Sequence, residues 1–132
     1  MTTNVFSQSM ISIEQYLIDN KDGNQQATIA YVAKRCAAVF TQSAKIIGQD
    51  TEQKKQLFYK FVTAAAAMRM KAITGTPTED KIRINEAEII EMVKIYDDQS
   101  NKSYAQTGMY FGGVEEDLTI CNALSEKDTK KE

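Results

Sequence analysis

Histidine is absent from the chain. With it go Ser-His-Asp and Cys-His nucleophile systems, imidazole general acid–base catalysis and His-containing metal sites. A helical di-iron centre, which takes a Glu-x-x-His from each of two helices, is excluded on the same ground. Two cysteines, Cys36 and Cys121, stand 85 positions apart with no CxxC spacing, too few to make a zinc site alone. Both occupy apolar helical positions, and buried free thiols of a reducing compartment are the expectation. Neither a phosphate-binding G-x-x-x-x-G-K-[ST] loop nor a G-x-G-x-x-G fingerprint occurs; Gly108, Gly112 and Gly113 have the wrong neighbours.

Carboxylates are the remaining candidates for chemistry. Glu88, Glu91 and Asp98 fall near one helical stripe, and Glu115-Glu116-Asp117 form a run near the C-terminus. Brought together they could ligate Mg²⁺ or Ca²⁺ through hard oxygens, but no EF-hand spacing supports it. Acids at 115–117 also complement the positive end of a helix that begins there. The chain is therefore expected to be non-enzymatic, with no catalytic residue, cofactor or metal.

Two groups of residues suit binding instead. Tyr104, Tyr110 and Phe111 lie in a segment, 104–113, with three aromatics and three glycines in ten residues. Tyrosine and phenylalanine suit a partner-binding surface; a flap folded over the core is the other use of such a segment. The second group is basic: Lys34, Arg35, Lys54, Lys55, Arg69 and Lys71, with Lys45 and Lys60 among them. A basic helical surface can neutralise phosphates without a sequence-reading motif. No helix-turn-helix glycine turn, zinc finger or RRM signature accompanies it, and the pI is near 5.3.

The net charge of −2 conceals a segregation. Residues 24–83 hold ten bases and four acids, a net of +6; residues 84–132 hold five bases and eleven acids, a net of −6. The two halves can neutralise each other within one molecule, attract copies head to tail, or attract an oppositely charged partner.

The elements that must position these residues follow from apolar spacing. Ile29, Val32, Ala33, Cys36, Val39, Phe40, Ser43, Ile46 and Ile47 recur at steps of three and four, as do Leu57, Phe58, Phe61, Ala65, Met68, Ala72 and Ile73. That predicts two long helices within residues 25–74. Gly48 suits a left-handed C-cap, and Asp50 or Thr51 can cap the second helix; so short a joint makes the pair antiparallel. Small residues (Ala27, Ala30 and Ala38 on the first, Ala64 to Ala67 on the second) leave neither helix with a fully polar back. Other helices of the chain, a second copy or a partner can cover those faces.

Around the hairpin, the first ten residues read as loose. Ser12 and Gln15 suggest a capping box for a short helix with Ile13, Tyr16 and Leu17 on its apolar side, and residues 20–24 read as a turn. Thr76-Pro77-Thr78-Glu79 predicts a turn or two of helix near 77–83, capped by Thr76. A competing start at Asn85 predicts the main helix over about 85–106, its face formed by Ile89, Ile90, Val93 and Tyr96 with Ala87. Lys81 to Ile84 could instead form a brief extended segment. A last short helix carries Val114, Leu118, Cys121 and Leu124.

The fold expected is all-α: a bundle of four to five helices built on a long antiparallel hairpin, one domain over 1–124, with a disordered charged tail over 125–132. The function expected is a small protein–protein interaction or assembly component, an adaptor, chaperone-like or structural subunit, whose partner is another protein or a second copy. The alternative is a nucleic-acid-associated protein using the basic hairpin. No apolar run approaches the ~20 residues that span a bilayer, and the N-terminus lacks signal-peptide features. The expected setting is the cytoplasm, or a host's cytoplasm for a viral chain.

Overall fold

The computed structural model describes residues 10–130 and has five helices: α1 (Ile13–Asp19), α2 (Gln25–Ile47), α3 (Glu52–Lys71), α4 (Glu79–Thr107) and α5 (Glu115–Lys130). A short 3₁₀ helix, Tyr110–Gly113, joins the last two. The hairpin expected over 25–74 is the α2–α3 pair. Gly48 ends α2 at φ 70°, a conformation that costs glycine no Cβ clash. Thr51 then opens α3, its hydroxyl accepting the Lys54 N–H at 3.1 Å. Ser12, Asn24 and Thr78 cap α1, α2 and α4 in the same way. Each such cap stabilises its helix by about 1 kcal/mol by satisfying an otherwise orphaned backbone donor. At α1 the box is half made, because the Gln15 side chain turns forward to Asp19 at 2.8 Å.

Two boundary expectations are corrected. The break expected between 83 and 85 is absent, as is the extended alternative at 81–84: α4 is one helix of 29 residues, capped by Thr78 rather than Thr76. No glycine or proline lies between Glu79 and Thr107, so nothing stops propagation past Asn85. At the other end α5 reaches Lys130, so residues 125–130 continue the helix where a disordered tail was expected. The final two residues, and the N-terminal residues expected to be loose, lie outside the described residues apart from Met10.

The organising element is α2. From Arg35 to Phe40 every residue is buried, and so are Gln42, Ser43 and Ala44. A helix enclosed on all sides must be central, and α3 covers one side of it while α1, α4 and α5 cover the rest. Phe58, Phe61, Ala65 and Met68 bring α3 onto α2, with the Phe40 and Phe61 rings 6.2 Å apart. From α4 come Ile89, Met92, Val93 and Tyr96; from α5, Leu118, Cys121 and Leu124. Ile90, expected on the α4 face, is exposed, as are Ile29 and Leu57. Ile90 sits about 100° around the helix from Ile89, enough to leave a stripe completed by Met92 and Tyr96.

Candidate interaction surfaces and a buried polar centre

The most concentrated polar chemistry lies inside the molecule. Arg35 is wholly buried, and its guanidinium donates to four oxygens: the Tyr96 hydroxyl at 2.8 Å, the Tyr31 hydroxyl at 3.1 Å, the Ile11 carbonyl at 2.8 Å and Asp117 Oδ2 at 2.8 Å. Asp117 completes the centre. Its Oδ2 also accepts the Tyr96 hydroxyl at 2.6 Å, and its Oδ1 accepts the Ile13 N–H at 2.9 Å. One carboxylate and one guanidinium thereby join α1, α2, α4 and α5. Burial opposes the charge on Arg35 most strongly, but the interactions with Tyr96 and Tyr31 outweigh it and carry the guanidinium's pKa above its ordinary value. Burial also holds the Tyr96 phenol well above its ordinary value, with Asp117 adding to the effect and Arg35 opposing it. Every oxygen of Asp117 is engaged, so this centre is built as a clamp. Among the described residues no group of three or more His, Cys, Asp or Glu side chains could hold a metal ion.

Arg35 was expected on a basic surface and lies in the core. The sequence signal existed: Arg35 stands three residues after Val32 and four before Val39, and all three are buried. Asp117 is likewise three after Val114 and four before Cys121, both buried. Each charge is in phase with the apolar stripe of its helix.

Beside this clamp, Cys36 and Cys121 form a disulfide, with Cα atoms 5.4 Å apart. Free thiols were expected and are not found. The two inward positions are distant in sequence but face each other where α5 crosses α2, a juxtaposition that spacing along one chain cannot reveal.

The remaining bases divide into two sets. Lys34 pairs with Glu88 at 2.7 Å, Lys45 with Asp97 at 3.4 Å, and Arg69 with Glu86 at 2.8 Å. Lys81 donates to the Thr74 and Thr76 carbonyls and closes the α3–α4 loop. With Arg35–Asp117, these contacts set hairpin bases against acids of the C-terminal half, so the charge segregation is largely compensated within the molecule. Lys54, Lys55 and Lys60 differ: all three are exposed on α3 and none forms an ion pair among the described residues. Lys71 is exposed at the far end of the helix.

The 104–113 segment is more ordered than a loop. Tyr104 belongs to the last turn of α4, Gly108 reverses the chain, and the 3₁₀ turn folds back along α4. The Tyr104 and Tyr110 rings stack 4.2 Å apart with 12° between their planes, and both remain exposed. Phe111 turns inward against the core. Gly113 seats the turn: a Cβ there would lie 2.5 Å from the Ser100 nitrogen, so only glycine fits without displacing backbone.

Apolar surface is left uncovered elsewhere. On α3, whose only substantial packing partner among the described residues is α2, Tyr59, Val62 and Met70 are 58, 42 and 63% exposed. Ile82 and Ile90 are exposed near the start of α4. A depression of about 170 Å³ lies between α1, α2, α3 and α5, lined by Leu17, Ile29, Val32, Met68 and Leu124. A polar groove of about 640 Å³ runs between Met10, Lys102, Met109 and Glu115. Among the described residues no helix is long and apolar enough to cross a membrane. Compared with known proteins, the chain matches no family model, no curated protein and no solved structure.

Proposed function

We propose that this small helical protein is a non-enzymatic protein–protein interaction or assembly component. The observation that carries the reading is α3: twenty residues that, among the described residues, pack substantially against one neighbour only, with Tyr59, Val62 and Met70 exposed on its outer side. Exposed apolar groups grouped on one element mark interaction surfaces, whereas single ones scattered over a protein do not. The Tyr104–Tyr110 stack is a second, preorganised candidate contact, next in sequence to Phe111, which packs against the core. The buried charges supply no open position for a substrate, which favours a binding role over a catalytic one.

Affinity purification of the tagged chain from its own source, with light scattering on the purified protein, tests this. A stable partner or a defined oligomer is the expected result. A monodisperse monomer with no recovered partner would remove the reading.

A second reading is favoured by one observation: Lys54, Lys55 and Lys60 of α3 form no ion pair among the described residues. Nucleic-acid binding through Lys54 and Lys55 would show affinity that falls steeply with salt. Of the six residues first considered for it, Arg35 is buried and Lys34 and Arg69 are ion-paired, which leaves a small patch. As to compartment, a cytoplasmic setting accords with reduced thiols, whereas the Cys36–Cys121 bond favours an oxidising one. Alkylation of the protein on extraction, before any air oxidation, decides between them.

A further inference from the structure

We infer that the outer face of α3 is a docking site for an acidic amphipathic helix of another protein. This rests on the interaction reading above and specifies its surface and partner chemistry. Lys55, Tyr59, Val62, Ala66 and Met70 follow one another at steps of four, three, four and four, which places them along one flank of the helix, turned away from the Phe61, Ala65 and Met68 side that meets α2. The small Ala66 in the middle of this stripe lets a second helix approach closely, with Tyr59 and Met70 as larger contacts near either end. A partner laying an apolar stripe here uses the helix-against-helix mode of recognition, read at i, i+3, i+4 and i+7.

Charge identifies the occupant. Residues 52–71 carry five bases and a single acid, Glu52. Of these, Arg69 has Glu86 of α4 against it, as Lys34, Arg35 and Lys45 of α2 have acids of α4 or α5. Lys54, Lys55 and Lys60 have none among the described residues, so their field faces outward, with Lys55 within the stripe and Lys60 across the outer face. Carboxylates beside a partner's apolar stripe would meet that field, steering encounter and rejecting basic competitors. A second copy does not supply such a helix. Two α3 faces would oppose like charges. The other exposed acidic and apolar stretch, at the start of α4, has all but one of its acids, Glu79, already matched: Asp80 with Arg83, Glu86 with Arg69, Glu88 with Lys34 and Glu91 with Lys94. Nucleic acid would match the lysines but leave Tyr59, Val62 and Met70 without a role.

Photo-crosslinking of the full chain tests this. Benzoylphenylalanine replaces Tyr59 in one protein and Tyr110 in another, each is irradiated in extract from the native source, and the joined segment is sequenced by mass spectrometry. The expected product at position 59 is one protein segment with apolar residues at helical spacing flanked by Asp and Glu. Its yield should fall at least fivefold in Lys55→Glu/Lys60→Glu and in Val62→Asp, both exposed changes that circular dichroism will show to be folded. Capture at 110 but not at 59 overturns the α3 site and leaves the interaction reading standing; capture at neither removes both. A product at 59 that is nucleic acid, this same chain or a basic segment overturns the proposal, as does a yield indifferent to the lysine changes.

Discussion

Removing the carboxylate of Asp117 strikes a point where side chains tie four helices together. Asp117→Asn keeps the size of the side chain but replaces one oxygen by an amide that donates toward groups which are themselves donors. In the native protein that carboxylate receives Arg35 Nη2 at 2.8 Å, the Tyr96 hydroxyl at 2.6 Å and the Ile13 N–H at 2.9 Å. Losing the charge leaves an arginine of zero exposure without a counter-ion. Breaking a buried pair from one side costs about 3–5 kcal/mol, a large part of the 5–15 kcal/mol typical of a whole domain. Urea denaturation followed by circular dichroism, without reductant so that the disulfide stays closed, measures it. The expected midpoint falls well below that of the native protein with an unchanged slope. A companion triple variant, Arg35→Met/Tyr96→Phe/Asp117→Leu, removes the charges and the hydroxyl together and should recover part of the loss, because no buried charge is left orphaned although the Ile13 N–H loses its acceptor. A cost below about 1 kcal/mol for Asp117→Asn, against the usual price of an orphaned buried charge, would refute the clamp. So would a triple variant no more stable than the single.

Three further outcomes follow from other parts of the molecule. The disulfide closes a loop with a sequence separation of 85, and chain entropy alone makes that worth about 4.6 kcal/mol at 25 °C; Cys36→Ala/Cys121→Ala should lower the urea midpoint accordingly, and reductant should have no further effect on the variant. Thiol titration of the unfolded native protein should find no free cysteine before reduction. Gly113→Ala should cost about 1–3 kcal/mol, since its Cβ meets the Ser100 and Gln99 backbone at 2.5–2.7 Å, whereas Gly112→Ala meets mainly the Ser103 side chain, which can move; calorimetry on both should rank Gly113 the more damaging. Tyr96, held well above its ordinary pKa of 10.0, gives stability that is full below about pH 10 and declines above it, as the unfolded phenol ionises first. Denaturation profiles should therefore show a shallower alkaline decline in Tyr96→Phe, and identical slopes would contradict this.

Legibility in the sequence tracked how local each cause was. Gly48, Thr51 and Ser12 act within one turn of themselves, and the ends they set were readable from residue type. At the start of α4 residue type pointed to Thr76 or Asn85 as the cap, and the residue that captures a free N–H, that of Lys81, is Thr78. The aromatic segment was read by composition as loop, yet Tyr104 is held in helix and Tyr110 is stacked on it, with the fit of Gly113 against α4 seating the turn between Gly108 and α5. Arg35 and Asp117 were sorted by charge to the surface although each lay in phase with buried neighbours. Their opposite charges, each inside an apolar stripe, were the available clue. The pairing of Cys36 with Cys121 had no local cause and so no local sign.

The two ties between α2 and α5 explain one another. Arg35 and Cys36 are consecutive on α2, and their partners Asp117 and Cys121 are one turn apart on α5. Each tie fixes the register that the other needs: the disulfide sets the distance between the helices, and the ion pair sets the rotation of α5 about its own axis. Asp117 then binds the first backbone N–H of α1, and Arg35 binds the carbonyl of Ile11 just before it. The start of α1 and the first turn of α5 are thus ordered against the same side chains. The outer face of α3, by contrast, carries exposed apolar residues, and its Lys54, Lys55 and Lys60 have no ion pair among the described residues. A fold that ties α1 and α5 to α2 by charge and covalent bond can leave the outer face of α3 open, because α3 closes the core with its inner face alone, through Phe61, Ala65 and Met68.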